Sequence, residues 1–295
     1  MPVLRQRLIY GPILIAALIG AIWLDEWIQH ATNGRLPGAI LFPALLTVGI
    51  LASFEVAQFF NRRGVQVSGV LCAGAMAIGF FASSLTPQDT PGLSGIAIVC
   101  TASLIVLASS LVYYARHQIA TGVASATGAT LFTFVYIGLM GGFLIVLRKE
   151  HSAWLVLGIL LITKAYDIGA YFTGRAIGRH KMIPWLSPGK TWEGLAGGLV
   201  TSTLVGALAA EITTQLPGPI TFGLELSWWQ GAIAGLVFGI VGQLGDLAAS
   251  LLKRDAGVKD SSSSLPGFGG VLDIVDSPIL VAPAAYWLLR AFGAG

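Results

Sequence analysis

The sequence predicts an all-α, polytopic integral membrane protein with about nine membrane-spanning helices. Composition is the first reason. Hydrophobic residues make up 55% of the 295 positions and charged residues only 11%. Mean hydropathy is +0.79, outside the range of soluble globular chains. Spacing is the second reason. The apolar residues fall into runs near the ~20 residues that cross a bilayer: 8–24, 38–60, 67–85, 93–115, 122–147, 153–175, 191–210, 228–254 and 271–292. The longest polar connectors, 174–190, 211–227 and 255–270, are too short for a separate soluble domain.

Arg5 and Arg7 precede the first run, which resembles a signal peptide. It is long enough to span, and Asp25-Glu26 follow it without a small-residue cleavage site, so a retained helix is expected. The first five runs are the more cleanly apolar. The last four contain Lys164, Asp167, Glu193, Asp246, Asp273 and Asp276. One membrane domain is therefore read as an apolar bundle over 1–150 and a catalytic half over 151–295. Trp228 and Trp229 open the eighth run and fit an interfacial aromatic belt. Gly231, Gly235 and Gly239, like Gly194 and Gly198, repeat at four-residue spacing and allow close helix approach. That means packing inside one protomer, with a homodimer seam as the alternative. Cys72 and Cys100 have no metal-type spacing, and His30, His117, His151 and His180 are scattered, which argues against a histidine metal site.

Lysine and arginine asymmetry sets the orientation. Arg5/Arg7, Arg62/Arg63, Arg116, Arg175/Arg179/Lys181/Lys190 and Lys253/Arg254/Lys259 fall on one side, twelve of the 17 basic residues. Alternate connectors hold Asp25, Glu26, Arg35, Asp89, Glu211 and Glu225. The expectation is a cytoplasmic (inner) membrane protein with its N-terminus and its two richest polar connectors inside. Arg148 and Lys149 run against the pattern.

The densest charge lies in 242–276, with Asp246, Lys253, Arg254, Lys259, Asp260, Asp273 and Asp276. Each charge at membrane depth costs about 2.5–3.5 kcal/mol on insertion scales, so the cluster points to anion or metal chemistry. Gln243, Asp246, Ser250 and Lys253 share one helix face. Asp273 and Asp276 stand at i, i+3 where the ninth helix opens. Carboxylates there suit a hard cation such as Mg²⁺, or act as helix caps. Lys164, Asp167 and Tyr171 align on the sixth helix, as an internal ion pair or as ligand contacts. Gly189-Lys190-Thr191 mimics the end of a Walker-type loop, but Pro184 replaces the first glycine and no strand precedes it. A lysine and a hydroxyl at a helix start still suit an anion.

These residues resemble a known family. The run Ser250-x-Leu252-Lys253-Arg254-x₄-Lys259-Asp260-x-Ser262-x₂-Leu265-Pro266-x-x-Gly269-Gly270-Val271-x-Asp273-x-x-Asp276 is similar to the signature of phosphatidate cytidylyltransferase, or CDP-diacylglycerol synthase. Gly245-Asp246-Leu247, Ser187-Pro188-x-Lys190-Thr191-Trp192-Glu193-Gly194 and Asp167-x-Gly169-Ala170-Tyr171 resemble it too. By motif the resemblance covers 162–276. It implies transfer of a cytidylyl group from CTP to phosphatidate, giving CDP-diacylglycerol and pyrophosphate in phospholipid biosynthesis.

The implied catalytic residues are Asp246, Asp273, Lys259, Asp260 and Asp276. Asp246 and Asp273 would hold Mg²⁺, and a second cation is admitted. Ser187, Lys190, Thr191, Ser250, Lys253, Arg254 and Asp167 would contact substrate. Partners are CTP, phosphatidate and membrane lipids, with no nucleic acid. Phe268 stands where the family has histidine and Ile274 where it has arginine, which implies weak turnover or a paralogue. The alternatives are an inactive or divergent chain acting on another lipid acceptor, as a CTP-dependent lipid kinase or cytidylyltransferase, and a transporter of a phosphorylated solute.

Overall fold

In a computed structural model of the protein, residues 2–85, 92–116, 118, 120–215, 224–265 and 267–293 are described. Asp89, His117 and Pro266, used above, lie outside them. The chain is almost wholly helical: α1 Pro2–Ala31, α2 Leu41–Arg62, α3 Gly69–Ser84, α4 Gly92–Ala115, α5 Val123–Thr133, a π-helical turn Phe134–Leu139, α6 Met140–Glu150, α7 Ala153–Ile177, α8 Trp192–Gln215, α9 Trp228–Asp255 and α10 Leu272–Ala291. Among the described residues, eight helices are long and apolar enough to cross a membrane, one of them running from α5 through α6. The segment expected over 67–85 is shorter, because α3 has 16 residues. Asn61 explains the late start. Its side chain donates to Val67 O and accepts from Val67 N at 2.9 and 2.8 Å, holding the chain out of helix until Ser68 caps α3.

Two compact units interleave in sequence. The first comprises residues 1–15, 41–146 and 252–275. Within it α3 is deeply buried, with Cys72 and Met76 at 0% exposure. Glycines bring α3 against the π-helical turn, since a Cβ on Gly79 would stand 2.6 Å from the Phe134 carbonyl oxygen.

The second unit comprises residues 16–40, 147–251 and 276–295. Its helices α7, α8 and α9 pack through small residues. A Cβ on Gly194 would lie 2.9 Å from the Ala170 carbonyl oxygen, and one on Gly239 2.6 Å from Ser202 Oγ. The glycine stripes thus serve packing within one protomer. Arg148 is fully buried and pairs with Asp25 at 2.5 Å and Glu26 at 3.4 Å. Asp25 also accepts from Gly38 N and Ile40 N, and Glu26 from Ala153 N at 2.8 Å. Arg148 runs against the loop-charge pattern because it is a core ion pair, not a loop cation.

Between α7 and α8 the chain makes a short antiparallel hairpin, β1 Lys181–Ile183 and β2 Ser187–Thr191, pairing Lys181 with Thr191 and Ile183 with Ser187. The expected loop is therefore a ribbon, which aims alternate side chains to opposite faces.

Candidate functional site

In the first unit the site is the loop from the end of α9 to the start of α10. Lys253 Nζ donates to Asp273 Oδ1 at 2.7 Å, and both side chains are only 12% exposed. Asp273 Oδ2 accepts from Ser261 N at 2.8 Å and Gly270 N at 2.9 Å, and it shares with Glu55 Oε2 the single proton of Ser261 Oγ, which lies 2.8 Å from each. The bond from Gly270 N to the side chain three residues on has the form of a helix cap. Lys259 and Asp260 are exposed. Arg254 is exposed and points Nη1 at Val258 O, 3.4 Å away.

The family glycines have physical reasons. Gly269 has φ +93°, and a Cβ there would stand 2.6 Å from Asp273 Oδ2. Gly270 lies so close to Glu55 that a Cβ would be 2.5 Å from both carboxylate oxygens. Phe268 directs its ring toward α1, its Cζ lying 3.5 Å from where a Cβ on Gly11 would stand.

Glu55, in α2, is the residue of the candidate site that sequence reasoning missed. It is 4% exposed. Oε1 accepts from Val271 N at 2.9 Å and Ser262 Oγ at 2.7 Å. Oε2 accepts from Leu272 N at 2.9 Å and lies 2.8 Å from the Ser261 hydroxyl that it shares with Asp273. A carboxylate borrowed from another helix therefore caps α10, where the free N–H groups and the helix dipole favour negative charge. The signal was available: Glu55 is the only charged residue between Leu41 and Asn61, and a lone acid in an apolar span is a functional candidate by default.

In the second unit, Lys190 Nζ at the end of the hairpin lies 2.6 Å from Asp246 Oδ2 on α9, the side chains being 18% and 33% exposed. Lys164 donates to Asp167 at 2.9 Å, and Asp246 and Asp276 act on Lys164 through space. Asp276 is buried and accepts from Ser277 N at 2.6 Å. The close approach of α10 at Asp276 is permitted by Gly245, where a Cβ would stand 2.6 Å from Asp276 O. Tyr166 OH donates to Gln243 Oε1 at 3.1 Å. The unit thus gathers Lys164, Asp167, Lys190, Asp246 and Asp276.

The other expected contacts have local roles. Thr191 Oγ1 accepts from Gly194 N at 3.1 Å, capping α8. Glu193 accepts from His180 N at 3.2 Å and meets His180 Nδ1 at 2.6 Å, closing the hairpin. Ser187 opens β2 and Ser250 lies on α9, both half-buried.

Among the described residues no group of three or more His, Cys, Asp or Glu is placed to hold a metal ion. Asp246 and Asp273 each face a lysine ammonium. Taken separately, neither setting suits an ion held by protein alone. Each suits Mg²⁺ arriving with polyphosphate, which typically takes one or two carboxylates and completes its shell from phosphate and water.

The chain is similar to known proteins. A phosphatidate cytidylyltransferase of Bacillus subtilis is 32% identical over 291 residues, covering 98% of each chain. One from Mycobacterium bovis is 32% identical over 251 residues, 81% of this chain and 76% of its own. One from Haemophilus influenzae is 41% identical over 136 residues, 45% of this chain and 44% of its own. The family match runs across residues 5–292. With that span, the chain belongs to the cytidylyltransferase family.

Proposed function

We propose that the chain transfers the cytidylyl group of CTP to phosphatidate, giving CDP-diacylglycerol and pyrophosphate. The observation that carries this is the pair of ammonium–carboxylate contacts, Lys253–Asp273 and Lys190–Asp246, in a membrane-embedded member of the family. The lipid acceptor follows the relatives named phosphatidate cytidylyltransferase.

A phosphate monoester has a second pKa of about 6, so phosphatidate carries an ionised oxygen at neutral pH and needs no general base. That oxygen bonds to the α-phosphorus of CTP as the bond to the bridging oxygen breaks. The electron pair leaves with pyrophosphate. The protein's task is positioning and charge stabilisation. Lys190 and Lys253 each sit on a carboxylate, and a polyphosphate offers each ammonium a stronger anion. Arg254 and Lys259 are exposed at the same loop and add positive charge. The carboxylates of Asp246 and Asp273, released from their lysines, are the candidate ligands of Mg²⁺, with Asp260 and Asp276 as supporting acids. When bound, the ion neutralises phosphate oxygens as a Lewis acid. Ser187, Ser250 and Thr191 are candidate hydrogen-bond donors, and the Thr191 proton is free because its oxygen accepts at the cap. Asp167 holds Lys164 in place. The test is purified protein with CTP, Mg²⁺ and phosphatidate. Lipid-linked cytidine with equimolar pyrophosphate is expected; phosphorylated lipid with CDP release would overturn the reading.

Phe268 and Ile274 favour one second reading, a different lipid acceptor. Neither side chain can grip phosphate or donate a proton, as imidazole and guanidinium can. If phosphatidate is the acceptor, Phe268→His with Ile274→Arg is expected to raise turnover about tenfold, or about 1.4 kcal/mol of barrier. No gain on phosphatidate, with loss on another acceptor, would favour the second reading.

The site is proposed to face the cytoplasm, where CTP is available, across the inner membrane. Single cysteines at Lys181 and at Ser263, in a background lacking Cys72 and Cys100, are expected to react with a membrane-impermeant maleimide only from the cytoplasmic side. Reaction of either from the opposite side would reverse the assignment.

A further inference from the structure

A cavity of about 700 Å³ opens in the first unit between the α2–α3 and α4–α5 connections. It is distinct from the loop that holds Asp273. Arg63 and Arg116 line it together with Gln66, Ser68, Tyr113 and Ser125, and among the described residues none of its lining side chains is acidic. It lies where α2 and α4 end and α5 begins, at the ends of three candidate spans, the depth at which lipid headgroups lie.

We propose that this cavity binds the phosphate group of an anionic phospholipid. Charge is the first argument. Two guanidinium groups without a carboxylate between them make a site for an anion, and the guanidinium fork matches phosphate oxygens two at a time. Both can turn inward. Arg63 pairs with Asp255 at 2.9 Å, but the side chains are 57% and 63% exposed, and such surface pairs hold weakly. The Arg116 guanidinium lies over the Tyr113 ring at 3.6 Å and donates to the Tyr113 carbonyl, so it is positioned at the rim with donors to spare.

Backbone polarity adds to the side chains. α3 and α5 both begin at the cavity wall. The α5 start is Gly122, with φ +83° and no side-chain cap, so its first N–H groups and dipole favour an anion there. The walls are preorganised. Asn61 latches Val67 from both sides, and Tyr114 OH accepts from Ser68 N at 3.2 Å while bonding Thr130 at 3.1 Å. The volume falls among small-ligand sites, about 300–1,000 Å³.

The same chemistry would accept a soluble phosphate, so the experiment has two arms. Full-length protein in phosphatidylcholine nanodiscs is titrated with phosphatidylglycerol, and separately with pyrophosphate. Binding is read by thermal unfolding and, in the lipid arm, by native mass spectrometry of retained lipid. The measured quantity is the difference between wild type and Arg63→Gln/Arg116→Gln, which removes any contribution of other phosphate sites. The double variant is expected to bind phosphatidylglycerol about tenfold more weakly or worse. Arg62→Gln, outside the lining, is expected to leave binding unchanged. Arg63→Lys/Arg116→Lys, which keeps the charge, is expected to recover part of the loss. A difference in the pyrophosphate arm alone would overturn the lipid as ligand. No difference in either arm, or an equal loss from Arg62→Gln, would overturn the site.

Discussion

Asp273→Asn and Asp246→Asn, made singly, are each expected to lower cytidylyl transfer by about a hundredfold or more while the protein still inserts and folds. Loss of one preorganised charge-stabilising group at a reacting centre costs about 10²–10³ in rate. Each aspartate is such a group through its oxygens and through the lysine it holds. The Asp273 carboxylate accepts from Lys253 at 2.7 Å, Ser261 N at 2.8 Å and Gly270 N at 2.9 Å. An amide replaces one of its oxygens with a donor and leaves the Lys253 ammonium, 12% exposed, without its counter-charge. Asp246 does the same for Lys190, 18% exposed. Lys253→Met combined with Asp273→Asn separates the roles. If the aspartate acts only through the lysine, the double variant loses no more than the worse single one; if it also binds a cation, the losses add more fully. Near-normal turnover of both single variants over a wide range of Mg²⁺ would remove these residues from the site.

The helices were legible because length and apolarity alone decide what crosses a bilayer, and each of the nine expected runs contains a helix. What the runs do not carry is the partner of each polar group. The pattern that marks 67–85 as apolar cannot show that Asn61 latches Val67 and delays α3. Counting Arg148 as a loop charge fails for the same reason, since Asp25 and Glu26, more than 120 positions earlier, neutralise it in the core. The sequence of Gly189-Lys190-Thr191 predicts a loop at a helix start. Local periodicity in so short a segment does not reveal the ribbon that sends Lys190 to Asp246 and leaves Thr191 to cap α8. The loop motifs were the most readable part of the site, because their glycines answer to close approach at Gly269 and Gly270. Their anchor was not. Glu55 lies 206 positions from Ser261, beyond any motif window.

Glu55→Gln is expected to loosen the loop over 260–272 and to lower turnover by about tenfold or more, although Glu55 belongs to none of the signature motifs. The substitution keeps the shape and removes the charge. Oε1 accepts from Val271 N and Ser262 Oγ, and Oε2 from Leu272 N and Ser261 Oγ. Whichever end the new NH₂ group takes, it faces a backbone N–H, donor against donor, although the serine hydroxyl beside it can turn to accept. A buried group left unsatisfied costs about 1–3 kcal/mol, and the start of α10 also loses a favourable anion worth up to about 2 kcal/mol. A local loss near 3 kcal/mol would speed amide exchange at 260–265 and 267–272 by about a hundredfold through local opening. Amides of α7 and α8 should be unaffected. Glu55→Asp keeps the charge but withdraws it by one methylene, so an intermediate effect is expected. Gly270→Ala attacks the same contact from the other side, because its Cβ would stand 2.5 Å from both Glu55 oxygens. Two changes that break one clamp cannot break it twice, so the double variant should exchange and turn over much like the worse single one. Unchanged exchange at 260–272 in Glu55→Gln would mean that the loop is held by Asp273 and Lys253 alone, and that the buried acid of α2 has no part in ordering the site.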